Sequence, residues 1–427
     1  MTRPMAALLA TGAVWLAPTA SAVVPPSVDD ALLPPAAPPA PPGPTEPTGA
    51  CQPTGAGTVT ATHLDVLDLP AAQRLSQGSG QTVAVIDTGV TPHRMLPRLT
   101  AGGDYVSTGD GTRDCDGHGT AVAGIIAATG EFTGVAPDAA ILAIRQSSNE
   151  FRRVDGSSGV GDVETLAAAV RTAADLGATV INISSVACAP ADTGIDDGSL
   201  GAALAYAVDV KNVVVVSAAG NVGRQCAEQN TVAVGASSPD WESVTTVVSP
   251  GWYDDYVLTV GSVGSNGRPS PFTLAGPWVD VAAPGEGVVS LSTDGDGLTS
   301  SIGDEPISGT SYAAPVVAGV AALVRARAPH LTARQVMQRI EQTARHPSAG
   351  WDPFVGAGVV DPLAAVSADV GPPPPEVQRA VVTPTATPHP DTRARTVAFG
   401  GVAVVAGVAG AIALAASRLR ARHVPRD

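Results

Sequence analysis

Short apolar runs recur along the middle of the chain, at 82–86, 141–144, 180–183, 213–216 and 257–260, each rich in Val, Ile or Leu. They are nearly continuous and not alternating, which is the pattern of strands buried on both faces of a parallel sheet. Between and after them lie segments with apolar positions at helical spacing, at 120–128, 163–176, 200–210 and 332–343. Gly177, directly after the second, suits a helix C-cap. This succession predicts an α/β fold, a mostly parallel sheet flanked by helices. No stretch repeats at a period of about 20 to 50 residues, which disfavours a solenoid.

The flanks read differently. Residues 23–50 are dominated by Pro, Ala and Thr and offer no period that would bury a face, so they are expected to be extended and to lack a core of their own. Residues 368–396 form a second proline-rich linker, with Pro372 to Pro375 and then Pro384, Pro388 and Pro390. One folded domain, 51–367, lies between the two.

The ends carry targeting signals. Residues 1–22 combine Arg3, an apolar stretch from Met5 to Leu16 and the triplet Ala20-Ser21-Ala22, the build of a secretory signal peptide with an A-x-A cleavage site. An N-terminal membrane anchor is the rival reading, but the stretch is shorter than the roughly 20 residues a span needs. Residues 397–416 contain no charge and match that length, so they read as a transmembrane helix. Arg418, Arg420, Arg422 and Arg426 follow in a basic tail, 417–427, against Arg393 and Arg395 before it. The positive-inside bias favours a cytoplasmic C-terminus and an extracytoplasmic body on a single-pass cell-membrane protein.

Composition narrows the function classes. In 427 residues, 44% are hydrophobic but only 4% aromatic, so the core must be built from small aliphatic side chains packed around 47 glycines. The net charge of −15 disfavours a phosphate-tracking surface, and nucleic acid is not an expected partner. Cys51, Cys115, Cys188 and Cys226 all fall in the exported portion, where two disulfides are the natural reading and three connectivities are open. A zinc site is the alternative, but no C-x-x-C pair supports it.

Four motifs carry chemistry. The run Val83-Ala84-Val85-Ile86-Asp87-Thr88-Gly89 delivers an acid at the carboxyl end of a strand, where sites of open α/β sheets gather, although aspartate there is also a common turn former. Asp116-Gly117-His118-Gly119-Thr120 sets a histidine between glycines as a loop enters a helix, and histidine titrates where a general base must work. Ser308-Gly309-Thr310-Ser311-Tyr312-Ala313-Ala314-Pro315 opens a helix of small residues; Ser311 there is either an N-cap or a nucleophile whose own N–H faces a developing oxyanion. Pro315 is expected to be tolerated because first-turn N–H groups have no intrahelical acceptor. The strand 213–216 runs into Ser217-Ala218-Ala219-Gly220-Asn221, whose amide is either a turn former or a second oxyanion donor.

Taken together, in the order Asp, His, Asn, Ser, these segments resemble the signature blocks of the subtilisin-like serine peptidases. The resemblance covers about residues 80–366, including Gly134-Val135-Ala136-Pro137 and Asp280-Val281-Ala282-Ala283-Pro284-Gly285. It implies a subtilisin-like three-layer fold and an Asp87/His118/Ser311 triad that forms an acyl-enzyme on a protein or peptide substrate. Asn221 and the Ser311 N–H would then form the oxyanion hole, and no cofactor or metal is expected. Val180-Ile181-Asn182-Ile183-Ser184-Ser185 resembles one floor strand of the peptide cleft, but no Leu-Gly follows the serine as is usual in the family; Ser185-Val186-Ala187-Cys188 does, so the upstream subsites are not implied.

Signal peptide, proline-rich extension, Cys115-Asp116-Gly117-His118, Ala143-Ile144-Arg145-Gln146-Ser147-Ser148, linker and terminal apolar run together resemble the mycosins, the membrane-bound subtilases of type VII (ESX) secretion systems. That resemblance implies Cys51–Cys115 and Cys188–Cys226 pairing, an N-terminal extension that wraps the body and is not a removable inhibitor, and partners in the secretion membrane complex. Two other readings fit the same residues, a general anchored subtilase degrading extracellular protein and a largely structural scaffold of a secretion complex. Asp294-Gly295-Asp296-Gly297 has the look of a calcium loop but lacks the spacing for six oxygen ligands, so a solvated acidic turn is expected.

Overall fold

The computed structural model describes residues 23–57, 62–154, 158–232 and 235–367. The expected signal peptide (1–22), linker (368–396), membrane run (397–416) and basic tail (417–427) lie outside them. Among the described residues no helix is long and apolar enough to cross a membrane.

Seven parallel strands make the central sheet: β1 Thr82–Asp87, β2 Leu99–Asp104, β3 Ala140–Arg145, β4 Val180–Ile183, β5 Val214–Ala218, β6 Leu258–Val263 and β7 Val279–Pro284. Their spatial order is β7-β6-β5-β4-β1-β3-β2. Inner strands are buried along almost their whole length, β5 and β6 at every residue, which is why they appear as unbroken apolar runs. Two strands carry little apolar pattern. β2 reads Leu-Thr-Ala-Gly-Gly-Asp at the sheet edge, and β7 mixes Asp280 and Pro284 into a short run.

β2 leaves one row of backbone groups unpaired, a template for wrong pairing. The N-terminal segment packs there: Gly103 has a φ of +123°, and a Cβ on it would stand 2.3 Å from Pro39 Cγ. Proline has no N–H to offer an edge, so the contact blunts it. Beyond this contact the N-terminal segment joins the body by strand pairing. Thr45–Pro47 pairs antiparallel with Phe151–Arg153, and Thr54–Ala56 pairs with the strand Leu298–Ile302.

Helices α1 His118–Ala127, α4 Thr310–Arg327 and α5 Ala333–Gln342 form one group on the sheet, with α4 reaching β4, β5, β6 and β7. α2 Val163–Asp175 and α3 Gly198–Ala205 form the other group. Two helices are closed by capping boxes, Asp162 with Thr165 and Thr332 with Gln335. The core between the layers is aliphatic, as the composition requires, and Trp278 is its largest fully buried side chain.

The strand order reverses between β1 and β4, which are neighbours at the centre although successive strands depart from them in opposite directions. Such a switch point opens a crevice beyond the carboxyl ends of the strands. Asp87 is the last residue of β1, and Ser184 directly follows β4.

Candidate active site

Asp87 is fully buried at the end of β1. Its Oδ1 accepts the Thr88 N–H at 2.8 Å and His118 Nδ1 at 2.7 Å. An ionised carboxylate only accepts, so this contact requires the imidazole proton on Nδ1 and leaves Nε2 as the basic nitrogen. His118 opens α1, with a quarter of its side chain exposed and its ring tilted against Tyr312 at 4.9 Å between centroids. Burial alone would lower the imidazole pKa, but Asp87, Asp114 and Asp116 outweigh it and hold the group above its ordinary value.

Asp114 fixes the geometry of this pair. Buried between β1 and α1, it accepts the Thr88 hydroxyl at 2.9 Å, the Asp116 and Gly117 N–H groups at 3.1 and 2.8 Å, and both the N–H and hydroxyl of Thr120 at 2.8 and 2.7 Å. Thr88 Oγ1 also accepts the Gly119 N–H and Thr120 Oγ1 accepts the Thr91 N–H, so both hydroxyl protons are free to turn toward Asp114. One carboxylate thus ties the residue after Asp87 to the first turn that carries His118. Burial holds its pKa above the ordinary carboxylate value, with the Thr120 and Thr88 donors offsetting only part of that rise.

Ser311 is the second residue of α4, so it is not the N-cap; Gly309 holds that place. Asn221, just past β5, accepts the Thr310 N–H at 3.0 Å and the Thr310 hydroxyl at 3.2 Å through Oδ1. A Cβ on Gly309 would stand 3.1 Å from Ser311 Oγ and 3.4 Å from Asn221 Nδ2, so hydroxyl and amide nitrogen border the same small space, kept open by a glycine. Such a space suits an oxyanion flanked by an amide donor and a helix-start N–H.

His118, Ser311 and Asn221 line one cleft of about 700 Å3. Ser184, Ser185, Val186 and Ala187 form part of its wall, and Gly159, Val160 and Gly161 form another. The strand Ser158–Val160 pairs only with Ser148–Arg153, which leaves its other edge without a strand partner among the described residues. In the sequence this edge is invisible, because Gly159 and Gly161 look like part of an ordinary loop.

Both disulfides flank the cleft. Cys51–Cys115 closes three residues before His118, and Gln52 behind it donates its N–H to the Cys115 carbonyl at 2.8 Å and its Nε2 to Glu150 at 2.7 Å. Gln52 is itself a lining residue. Cys188–Cys226 sits behind Gly220, where a Cβ would come within 2.8 Å of Cys226 Sγ. The acidic turn at 294–297 is exposed to solvent along its whole length and also serves as a tether: Asp294 Oδ2 accepts the Thr54 N–H and hydroxyl at 3.0 and 3.1 Å, and Asp296 accepts the Arg94 N–H at 3.0 Å. Among the described residues no cluster of His, Cys, Asp or Glu is arranged to hold a metal.

A profile of the subtilase family matches residues 78–358. Mycosin-4 of Mycobacterium tuberculosis is 55% identical over 434 residues, covering 94% of this chain and 93% of the relative. Among solved structures, the MycP3 protease from the type VII (ESX-3) secretion system matches at 47% identity and a TM-score of 0.76, covering 81% of this chain and all of that one. A chain in an intact ESX-5 inner membrane complex matches at 42% identity and a TM-score of 0.76, covering 92% of this chain and all of that one.

Proposed function

This chain belongs to the subtilase family, and from that premise we propose that it is a mycosin-type serine endopeptidase whose triad is Asp87, His118 and Ser311. The observation that carries the assignment is the 2.7 Å His118–Asp87 contact opening onto the cleft that Ser311 and Asn221 also line.

In the reaction, Ser311 Oγ attacks the scissile carbonyl carbon as His118 Nε2 takes the hydroxyl proton. The carbonyl π electrons move to oxygen, and the Asn221 amide and Ser311 N–H stabilise that charge. Collapse of the intermediate breaks the peptide C–N bond, and His118 returns its proton to the leaving amine. Water repeats the sequence on the acyl-enzyme. Asp87 stays ionised throughout, fixing the tautomer and stabilising the imidazolium. The free edge at Ser158–Val160 and the stretch after β4 suit a substrate bound in extended form as an added strand.

The working place of this activity is the extracytoplasmic side of a type VII secretion membrane complex. Similarity over 92% of the chain to one in an ESX-5 inner membrane complex supports that reading, as do the signal-peptide pattern at the N-terminus and the apolar run 397–416 that would anchor the protein. The same similarity favours assembly with complex components beside peptide cleavage. Full-length protein in isolated membranes is expected to react with a fluorophosphonate probe, and Ser311→Ala to abolish labelling. A folded wild-type protein that stays unlabelled would overturn the peptidase assignment.

A further inference from the structure

Pro315 stands sixth in α4, beyond the turn whose N–H groups lack acceptors, so its missing N–H removes a regular helix bond. The bond lost is the one that would end on the carbonyl of residue i−4, Ser311. That carbonyl is not left empty. Ser184 Oγ donates to it at 2.8 Å, and the same hydroxyl accepts Asn182 Nδ2 at 2.9 Å, which fixes the direction of its proton. Asn182 is fully buried in β4, and Ser184 is 5% exposed.

Ser311 is therefore held by side chains on both flanks. Asn221 Oδ1 accepts the N–H of the preceding residue, Thr310, and the Ser184 hydroxyl donates to the carbonyl of Ser311 itself. We propose, building on the peptidase assignment above, that Ser184 is a positioning residue for the nucleophile. It replaces the helix bond that Pro315 deletes and links the cleft wall to the Ser311 backbone. A bound peptide strand pressing on 184–187 then acts on the same hydroxyl that orients Ser311. A helix-internal bond at this place would hold the nucleophile without reference to the cleft.

The test is a two-residue cycle in the full-length protein, read by fluorophosphonate labelling rate and by kcat and KM on a peptide that wild type cleaves. Ser184→Ala is expected to lower kcat and labelling rate together by about 10- to 100-fold, the scale of a small misplacement of a reacting group, with KM little changed. Adding Pro315→Ala to Ser184→Ala restores an N–H that can reach the Ser311 carbonyl, and is expected to recover most of the lost rate. Pro315→Ala alone costs less than Ser184→Ala. A purely structural Ser184 would give no such rescue. Should Ser184→Ala not fold, Ser184→Cys, nearly isosteric with a weaker donor, is expected to show a partial loss of kcat and the same rescue. Unchanged kcat in the single variant, or a double variant no better than Ser184→Ala, overturns the proposal. Wild-type protein that takes no label overturns the peptidase assignment instead.

Discussion

Asn221 Oδ1 accepts the Thr310 N–H at 3.0 Å, and this contact decides which end of the amide faces the nucleophile. With the oxygen committed to Thr310, Nδ2 borders the space beside Ser311 Oγ and donates a long hydrogen bond to Gln225 Oε1 at 3.4 Å. Thr310 completes the link by accepting the Gly220 N–H through its hydroxyl at 3.2 Å, so the turn after β5 and the start of α4 move as one.

Asn221→Ala removes one preorganised donor and is expected to lower kcat about 100- to 1,000-fold with little effect on KM. Steady-state kinetics on a short peptide check this, and a loss confined to KM would show that the amide binds ground-state substrate instead.

Asp114→Asn sets an NH2 group among five donors, at least one of which must then be lost. Activity is expected to fall about 10- to 100-fold through displacement of His118. The pH profile adds a second sign. His118 must be neutral to act as base, so kcat/KM falls as pH drops through its raised pKa, and the wild-type acid limb lies above the usual value of about 6.5. Removing the Asp114 charge takes away support for the imidazolium, so the acid limb moves to lower pH.

Gly119→Ala separates two opposing effects. Alanine is a better helix former by about 1 kcal/mol, yet its Cβ would stand 2.1 Å from the Gly89 carbonyl oxygen and 3.2 Å from Asp87 Oδ1. Backbone cannot rotate away, and overpacking of this kind costs about 1–3 kcal/mol. Net destabilisation in a denaturant titration is expected, together with loss of fluorophosphonate labelling.

Asp280, Asp254 and Glu341 crowd one another near the start of β7, and burial followed by the Asp254 charge lifts Glu341 to about 7. A carboxyl raised in the folded state contributes stability that is full below its unfolded pKa, about 4.3, and is lost as pH climbs through 7. Glu341→Gln is therefore expected to raise stability at pH near 8 by on the order of 1 kcal/mol, with less gain as pH falls toward 5. Melting curves at the two pH values decide it.

Replacing Cys51 and Cys115 together by serine opens a link across 64 residues. A stability loss of about 2–4 kcal/mol is expected. Because Gln52 lines the cleft beside that link, KM is expected to rise as well; unchanged KM would show that the segment's strand pairing alone holds the wall.

Much of this was legible from residue order. Inner strands announce themselves because burial on both faces leaves mostly Val, Ile, Leu and Ala, and Asp87, His118, Asn221 and Ser311 stand at or near the strand and helix ends where the fold brings chemistry together. Edge strand β2 was not legible, since Thr100 is exposed, Gly103 lies against Pro39, and Gly102, though buried against Leu142 and Ile144, brings no apolar side chain to mark the contact. Asp114 was missed for a related reason. Four of its five donors come from Asp116, Gly117 and Thr120, which alone would read as an ordinary Asx turn, and the link to Thr88 that gives it weight is 26 residues away. Pro315 misled by position: near a helix start in sequence, it falls past the first turn once Gly309 is the cap.

The antiparallel pairing of Thr54–Ala56 with Leu298–Ile302, and the bond from Thr54 to Asp294 across 240 residues, have a consequence in time. A chain that crosses the membrane N-terminus first presents Gln52 and His118 long before the residues that complete the cleft wall, and Ser311 comes later still. An N-terminal portion of the chain that stops short of Ser311 therefore cannot assemble the site, whatever else it has folded.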